Sequence, residues 1–87
     1  MPMLLVPGVL RAESDGQSRL EIAADGTLGA VLAEVGERWP RLARRIQDEQ
    51  GVLRRYVNVF VDGDKAGLET PVSAASEIQV LPSVAGG

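Results

Sequence analysis

One stretch of the chain has the periodicity of an amphipathic helix, and it lies between segments that alternate as strands do. Its apolar residues recur at i, i+3, i+4 and i+7, and they are Leu28, Val31, Leu32 and Val35. Thr27 is placed to be the N-cap, because its hydroxyl can accept from amides of the first turn. The helix stripe and the apolar face of a sheet each need a partner. The sequence therefore predicts an α+β fold in which the helix covers one face of a sheet.

Two strands are predicted before that helix. Residues 3–10 are apolar with β-branched content, and residues 13–17 supply turn residues and a polar loop long enough to be mobile. Residues 19–23 then alternate, with Leu20 and Ile22 expected to face the core. We expect these two strands to form a β-hairpin.

The helical region is expected to have a second part. Pro40 ends the first regular pattern, and Leu42 and Ile46 indicate a further helical turn or two that end near Gly51. Trp39 is interpreted as a cover over the bottom of the core.

The second half of the chain contains the clearest predicted strand, residues 54–61, followed by a turn at residues 62–64. One predicted face carries Val57, Val59 and Val61, and the other carries Tyr56, Asn58 and Phe60. A short irregular segment at residues 67–72 precedes the last strand, residues 77–81. The first and last strands are both apolar and are expected to lie side by side in the middle of the sheet. The predicted architecture is a roll: a mixed four- to five-stranded sheet on one main helix.

The length of 87 residues permits one domain, which we place at residues 1–81, with a flexible C-terminal tail at residues 82–87. The chain has no Cys and no His, which excludes thiolate nucleophiles, Cys or His zinc sites and Ser-His-Asp triads. Independent catalysis and a metal site are therefore not expected.

Charge and composition restrict the partners. With 9 basic and 12 acidic residues the net charge is −3, and Trp, Tyr and Phe occur once each, so nucleic acid is not expected as a partner. No membrane-spanning or export segment is recognised, which makes the cytoplasm the expected location. The arginines cluster at Arg38, Arg41, Arg44, Arg45, Arg54 and Arg55. That cluster is either a solvated helix face or a docking surface for an acidic protein.

The last strand is followed by Pro82-Ser83-Val84-Ala85-Gly86-Gly87. This ending, together with the order of strands and helix, resembles the β-grasp (ubiquitin-like) sulfur carriers of the MoaD/ThiS family. Residues 27–32, 55–61 and 68–72 carry the resemblance beyond the tail, so it covers nearly the whole chain. The Arg-Arg-aromatic-Val-Asn strand and the Leu-Pro-x-Val-Ala-Gly-Gly ending are most similar to the CysO-type carriers of cysteine biosynthesis.

The resemblance implies a non-enzymatic carrier whose C-terminal carboxylate, on Gly87, is adenylated by an E1-like enzyme of the MoeB/ThiF type and converted to a thiocarboxylate. ATP and Mg²⁺ would then be used by that enzyme, with no cofactor bound to the carrier. The sulfide would pass to a PLP-dependent cysteine synthase, and a JAMM-type metallopeptidase would release the product. Alternatives within this chemistry are the small subunit of molybdopterin synthase, acting with its large subunit, and a carrier for a thio-containing secondary metabolite.

The chemistry of the tail explains its glycines. A terminus without Cβ atoms at Gly86 and Gly87 can enter a narrow tunnel, and it lets an enzyme approach the carbonyl from either side. Six residues at about 3.3 Å each extend roughly 20 Å, which is enough to reach a buried active site. Pro82 is expected to stiffen the start of the tail, and Val84 and Ala85 complete it.

The candidates for binding partners are three residues beside the tail: Phe60, Leu81 and Pro82. Phe60 and Leu81 are expected on the face opposite the core valines, where they would form an exposed apolar patch unless the carrier's own loops partly cover them. Functions of other classes also remain open: a ubiquitin-like modifier that forms isopeptide bonds through Gly87, and a plain interaction module with an incidental tail.

Overall fold

A computed structural model describes residues 1–82 of the chain. The main sheet consists of β1 (Met3–Leu5), β2 (Arg19–Glu21), β4 (Val57–Val61), β5 (Asp64–Lys65) and β7 (Glu77–Pro82). Its strand order is β2-β1-β7-β4-β5. The short strands β3 (Gly26–Thr27) and β6 (Pro71–Val72) form a separate antiparallel pair.

The first and last strands lie side by side in the middle of the sheet, as predicted. β1 and β7 are parallel, with Leu4 opposite Ile78, and every other pair in the main sheet is antiparallel. Both of these residues are fully buried, since central strands place their inward side chains in the core. The mixed sheet of the predicted roll is therefore confirmed, with five strands.

The main helix α1 (Leu28–Arg38) begins where the sequence predicts. Thr27 Oγ1 accepts from the amide of Ala30 at 3.1 Å and so caps the first turn. The buried residues of α1 are the four of the predicted stripe, Leu28, Val31, Leu32 and Val35. They lie against the inward side chains of the sheet, among them Leu20, Ile22 and the valines of β4.

A second helix, α2 (Pro40–Ile46), follows directly, with Pro40 at its start, where its missing N–H costs no hydrogen bond. The prediction that this helix ends near Gly51 was wrong. Gln47 is already extended, and Asp48 Oδ1 accepts from the amides of Gln50 and Val52 at 2.8 and 3.0 Å. The side chain of Asp48 thus provides acceptors for two backbone amides of the loop, so these amides do not require the hydrogen bonds of a longer helix.

The predicted long first strand was also wrong, because β1 ends at Leu5 and Gly8–Ser14 forms a 3-10 helix. Pro7 has no N–H to donate to a neighbouring strand, and its carbonyl accepts from the amide of Leu10 at 2.9 Å instead. The 3-10 helix places the side chain of Leu10 in the core, where it is only 3% exposed. The mobile polar loop expected at residues 13–17 is thus in part ordered structure, with Ser14 buried and its hydroxyl donating to the carbonyl of Gln17 at 2.7 Å.

Two strand boundaries differ from the predictions. β4 starts at Val57 instead of residue 54, because the amide of Arg54 donates to the carbonyl of Ile46 and Leu53 bridges Gln47. β7 continues to Pro82, which lies opposite Val57. Trp39 is partly buried against the core, in agreement with its predicted role as a cover, and its ring lies 4.2 Å from the guanidinium carbon of Arg38.

Candidate functional site

The tail leaves the fold from the central strand of the sheet. β7 pairs with β4 as far as Pro82, which is partly buried. The predicted reactive residue Gly87, together with Gly86, Ala85 and Val84, lies outside the described residues. The described structure therefore fixes the point at which the tail begins, at the end of a strand held on the β4 side by a continuous ladder.

The outer face of the sheet, opposite the helices, holds two of the three predicted contact residues, Phe60 and Leu81, and the third, Pro82, ends β7. Asn58 is opposite Leu81 and Phe60 is opposite Gln79, so Phe60 and Leu81 are diagonal neighbours on one face. Leu81 is 46% exposed, whereas Phe60 is partly buried. The alternation in the sequence predicted this shared face correctly. Their role in binding a partner stays a prediction.

A groove that the sequence did not predict lies beside Leu81. It has a volume of about 320 Å³ and forms where β1 ends opposite Gln79, three residues before β7 ends at Pro82. Its lining residues are Leu5, Val6, Pro7, Arg11, Ser18, Arg19, Gln79, Val80 and Leu81. Leu5 reaches the outer face because it is opposite Gln79 in the parallel ladder. The alternation in residues 3–6 is the only sequence signal for that position, and it depends on the register.

Within residues 1–82 there is no group of three or more Asp, Glu, His or Cys side chains that could hold a metal ion. The pKa of Glu34 is lowered, first by the backbone amide of Ala23 and then by Arg38 and the amide of Ala24, while burial acts in the opposite direction. That carboxylate therefore serves to hold α1 to the segment after β2. The candidate site therefore consists of the outer face of the sheet and the end of β7 at Pro82.

Comparison with known proteins identifies the family of the chain. A model of the ThiS family matches residues 4–87, almost the entire chain and the terminal glycines with it. The chain belongs to the ThiS family of β-grasp sulfur carriers. This confirms the predicted family and fold.

Individual relatives agree with that membership. The sulfur carrier protein CysO of Mycobacterium tuberculosis is 32% identical in an alignment 88 positions long, which covers 94% of this chain and 94% of CysO. Small archaeal modifier protein 1 of Haloferax volcanii is 30% identical over 69 residues, which cover 79% of each chain. The similarity to CysO-type carriers that the sequence suggested is thus found among curated relatives, together with a similarity to an archaeal modifier.

Solved structures show the same backbone. The crystal structure of Mycobacterium tuberculosis CysO has a TM-score of 0.86 at 28% identity and covers 97% of this chain. In the crystal structure of the Amycolatopsis orientalis BexX/CysO complex, a chain with a TM-score of 0.89 and 27% identity covers all of this chain. A carrier of this fold has therefore been crystallised together with another protein. Within residues 1–82, no helix is both long and apolar enough to cross a membrane.

Proposed function

We propose that this carrier is loaded with sulfur at the carboxylate of Gly87. An E1-like enzyme of the MoeB/ThiF type would use ATP and Mg²⁺: a carboxylate oxygen attacks the α-phosphorus and pyrophosphate leaves. Hydrosulfide then attacks the carbonyl carbon and expels AMP, which leaves a thiocarboxylate on Gly87. The observation that supports this proposal is a family match that extends through both glycines of the tail.

Activation has to come from a partner because a carboxylate is a poor electrophile until one oxygen becomes a leaving group. None of the described side chains is arranged to bind a metal, and the sequence has no His or Cys. The role that we propose for the carrier is that of a co-substrate on which partner enzymes act, and membership of a family of sulfur carriers supports it. Leu81 and Pro82 lie at the strand end from which the tail begins, and Phe60 is the diagonal neighbour of Leu81 on the outer face. We propose that these three residues contact the enzyme while the tail enters its active site.

For the use of the sulfur we propose the cysteine route. The thiocarboxylate would react with an activated serine derivative on a PLP-dependent cysteine synthase, and a metallopeptidase of the JAMM type would release the cysteine. The similarity to CysO supports this route over transfer within molybdopterin synthase or into a secondary metabolite.

Intact-mass spectrometry tests the loading step. The full chain is incubated with an E1-like enzyme of this family, ATP, Mg²⁺ and sulfide, and we expect replacement of one oxygen by sulfur at the C-terminus. The same mixture without ATP is the control for chemical modification. A variant without Gly87 should stay unmodified although its thermal unfolding is unchanged. If that variant gains sulfur at the wild-type rate, the proposed site is wrong.

A second candidate function has one specific observation in its favour, the 30% identity to small archaeal modifier protein 1. A modifier would form an isopeptide bond between Gly87 and a lysine of another protein. The same reaction mixture, supplemented with a cell extract, distinguishes the two functions. Covalent adducts on lysines of other proteins would support the modifier. Release of cysteine after addition of the synthase, an activated serine and the metallopeptidase would support the carrier.

A further inference from the structure

Charges in the main sheet are separated along the direction of the strands. In the β1–β2 ladder, Arg19 is opposite Leu5 and Glu21 is opposite Met3. Because β1 and β7 are parallel, Met3 is also next to Glu77, the first residue of β7. The acidic side chains thus mark the end of the sheet where β7 begins, and Arg19 marks the end where β7 leads into the tail.

The β4 side of the sheet continues the acidic end. The amide of Asp62 donates to the carbonyl of Glu77 and the amide of Glu77 donates to Asp62 Oδ1, both at 2.9 Å. Asp64 is opposite Val61, at the same end. Lys65 is the one base of this turn. The four carboxylates Glu21, Asp62, Asp64 and Glu77 therefore share the end of the sheet remote from the tail.

Arginines surround the opposite end. Arg11 and Arg19 line the groove beside Leu81, and no acidic residue lines that groove. On the other side, Arg54 and Arg55 precede Val57, which is opposite Pro82. We refer to these four arginines as the tail-exit collar. Among residues 1–82 the only ion pair is Glu34–Arg38. Asp48 and Glu49 line a cleft with Arg54 but form no ion pair with it, so the most strongly basic part of the collar is Arg11, Arg19 and Arg55.

Two members of the collar are held in place by the backbone. Arg11 Nε donates to the carbonyl of Val6 at 3.1 Å, and Arg54 Nε donates to the carbonyl of Arg44 at 2.6 Å. In each case Nε is engaged, and the terminal nitrogens of the guanidinium form no hydrogen bond with any of residues 1–82. A side chain that is already positioned loses less rotamer entropy on binding. These two arginines are thus suited to contacts with carboxylates.

We propose that the tail-exit collar binds an acidic rim around the active-site entrance of the enzyme that receives the tail. This inference rests on the proposed function and adds to it the chemistry of the partner's surface. A carrier with a net charge of −3 is repelled by an acidic enzyme in most orientations, but its basic end is attracted. The charge separation therefore orients the carrier with its tail toward the entrance. Nucleic acid is a poorer occupant because the overall charge opposes it.

Steady-state loading by the E1-like enzyme tests the collar. The variants are Arg19→Glu and Arg55→Glu, and the matched control is Arg41→Glu, the same change of charge at an exposed position of α2. Arg41 lines a cavity with Arg38, which donates to the carbonyl of Glu21, so it lies on the side of the acidic end. We expect each collar variant to lower kcat/KM by about fivefold or more at low ionic strength, with kcat nearly constant. The control should lower it by less than about twofold. The differences should vanish at about 0.5 M salt.

Each other outcome has a defined meaning. Equal loading of all three variants and the wild type would overturn the inference and leave the proposed function intact. An equal loss in Arg41→Glu would show that only net charge matters, which also overturns it. Binding of the wild type to double-stranded DNA, lost in Arg19→Glu with loading unchanged, would overturn it in favour of nucleic acid. If the wild type is never loaded, the proposed function fails, and this inference fails with it.

Discussion

At the scale of single residues, the carboxylate of Glu34 accepts three hydrogen bonds, more than any other charged side chain makes among residues 1–82. Its carboxylate accepts from the amides of Ala23 and Ala24 at 3.0 and 2.8 Å, and it pairs with Arg38 at 2.8 Å. Arg38 in turn donates to the carbonyl of Glu21 at 2.9 Å. Glu34 thus connects α1 with the end of β2, and it satisfies two amides that have left the sheet ladder.

We predict that Glu34→Gln destabilises the protein and removes part of its pH dependence. The pKa of Glu34 is lowered from its ordinary value of 4.5 in the folded protein, so its contribution is present above pH 4.5 and is lost as the pH falls through the folded pKa. At neutral pH the loss of two charge-assisted hydrogen bonds should cost about 1 to 2 kcal/mol. Urea unfolding at several pH values measures both effects.

The matched control is Glu37→Gln on the same helix, whose side chain is exposed. It should change the free energy of unfolding at neutral pH by less than about 0.5 kcal/mol. If the two variants are equally stable at neutral pH, the hydrogen bonds of Glu34 do not stabilise the fold. If Glu34→Gln keeps the full wild-type loss of stability below pH 4.5, the assignment of that loss to Glu34 is wrong.

At the scale of elements, the 3-10 helix Gly8–Ser14 closes one side of the core. Leu10 is 3% exposed, whereas its neighbour Val9 is 74% exposed. We predict that Leu10→Ala costs about 2 to 5 kcal/mol, because the segment is anchored by the Pro7–Leu10 hydrogen bond and cannot fully collapse into the cavity. Val9→Ala should cost less than about 0.5 kcal/mol. Equal costs in thermal unfolding would mean that the segment is not seated in the core.

The same element shows what the sequence could predict and what it could not. The stripe of α1 and the alternation of β4 were predictable, because burial of one face imposes a period on the residues. Val9 and Leu10 have no such period, and the apolar run through Pro7 is typical of a strand as much as of a short helix. The pair β3–β6 was missed because strands of two residues are too short to show a period.

The candidate site was likewise predictable from the sequence only in part. Alternation alone placed Phe60 and Leu81 on one face, because the two positions lie on the outward side of strands with clear core faces. Arg11 and Arg19 were not recognised as neighbours of the tail. Their position depends on the parallel register of β1 with β7 and on the turn of the 3-10 helix, and neither leaves a pattern in the sequence.

At the scale of the whole molecule, the proposed docking surface has an apolar part and a charged part. Leu81 lies on the outer face of the sheet, at the edge of the groove that Arg11 and Arg19 also line. Desolvated apolar contacts near the centre of an interface mainly slow dissociation, whereas charges at its rim mainly speed association. The two parts should therefore respond differently to salt.

We predict that Leu81→Ala weakens binding of the carrier to its E1-like enzyme by on the order of tenfold, at low and at high ionic strength alike. The loss should appear in the dissociation rate, measured by surface plasmon resonance with the enzyme immobilised, because apolar burial is not screened by ions. Val52→Ala is the matched control, since Val52 is 54% exposed, against 46% for Leu81, and lies outside the sheet. A loss for Leu81→Ala that disappears with salt would show that the interface is electrostatic throughout. An equal loss for Val52→Ala would show that the docking surface is not the outer face of the sheet.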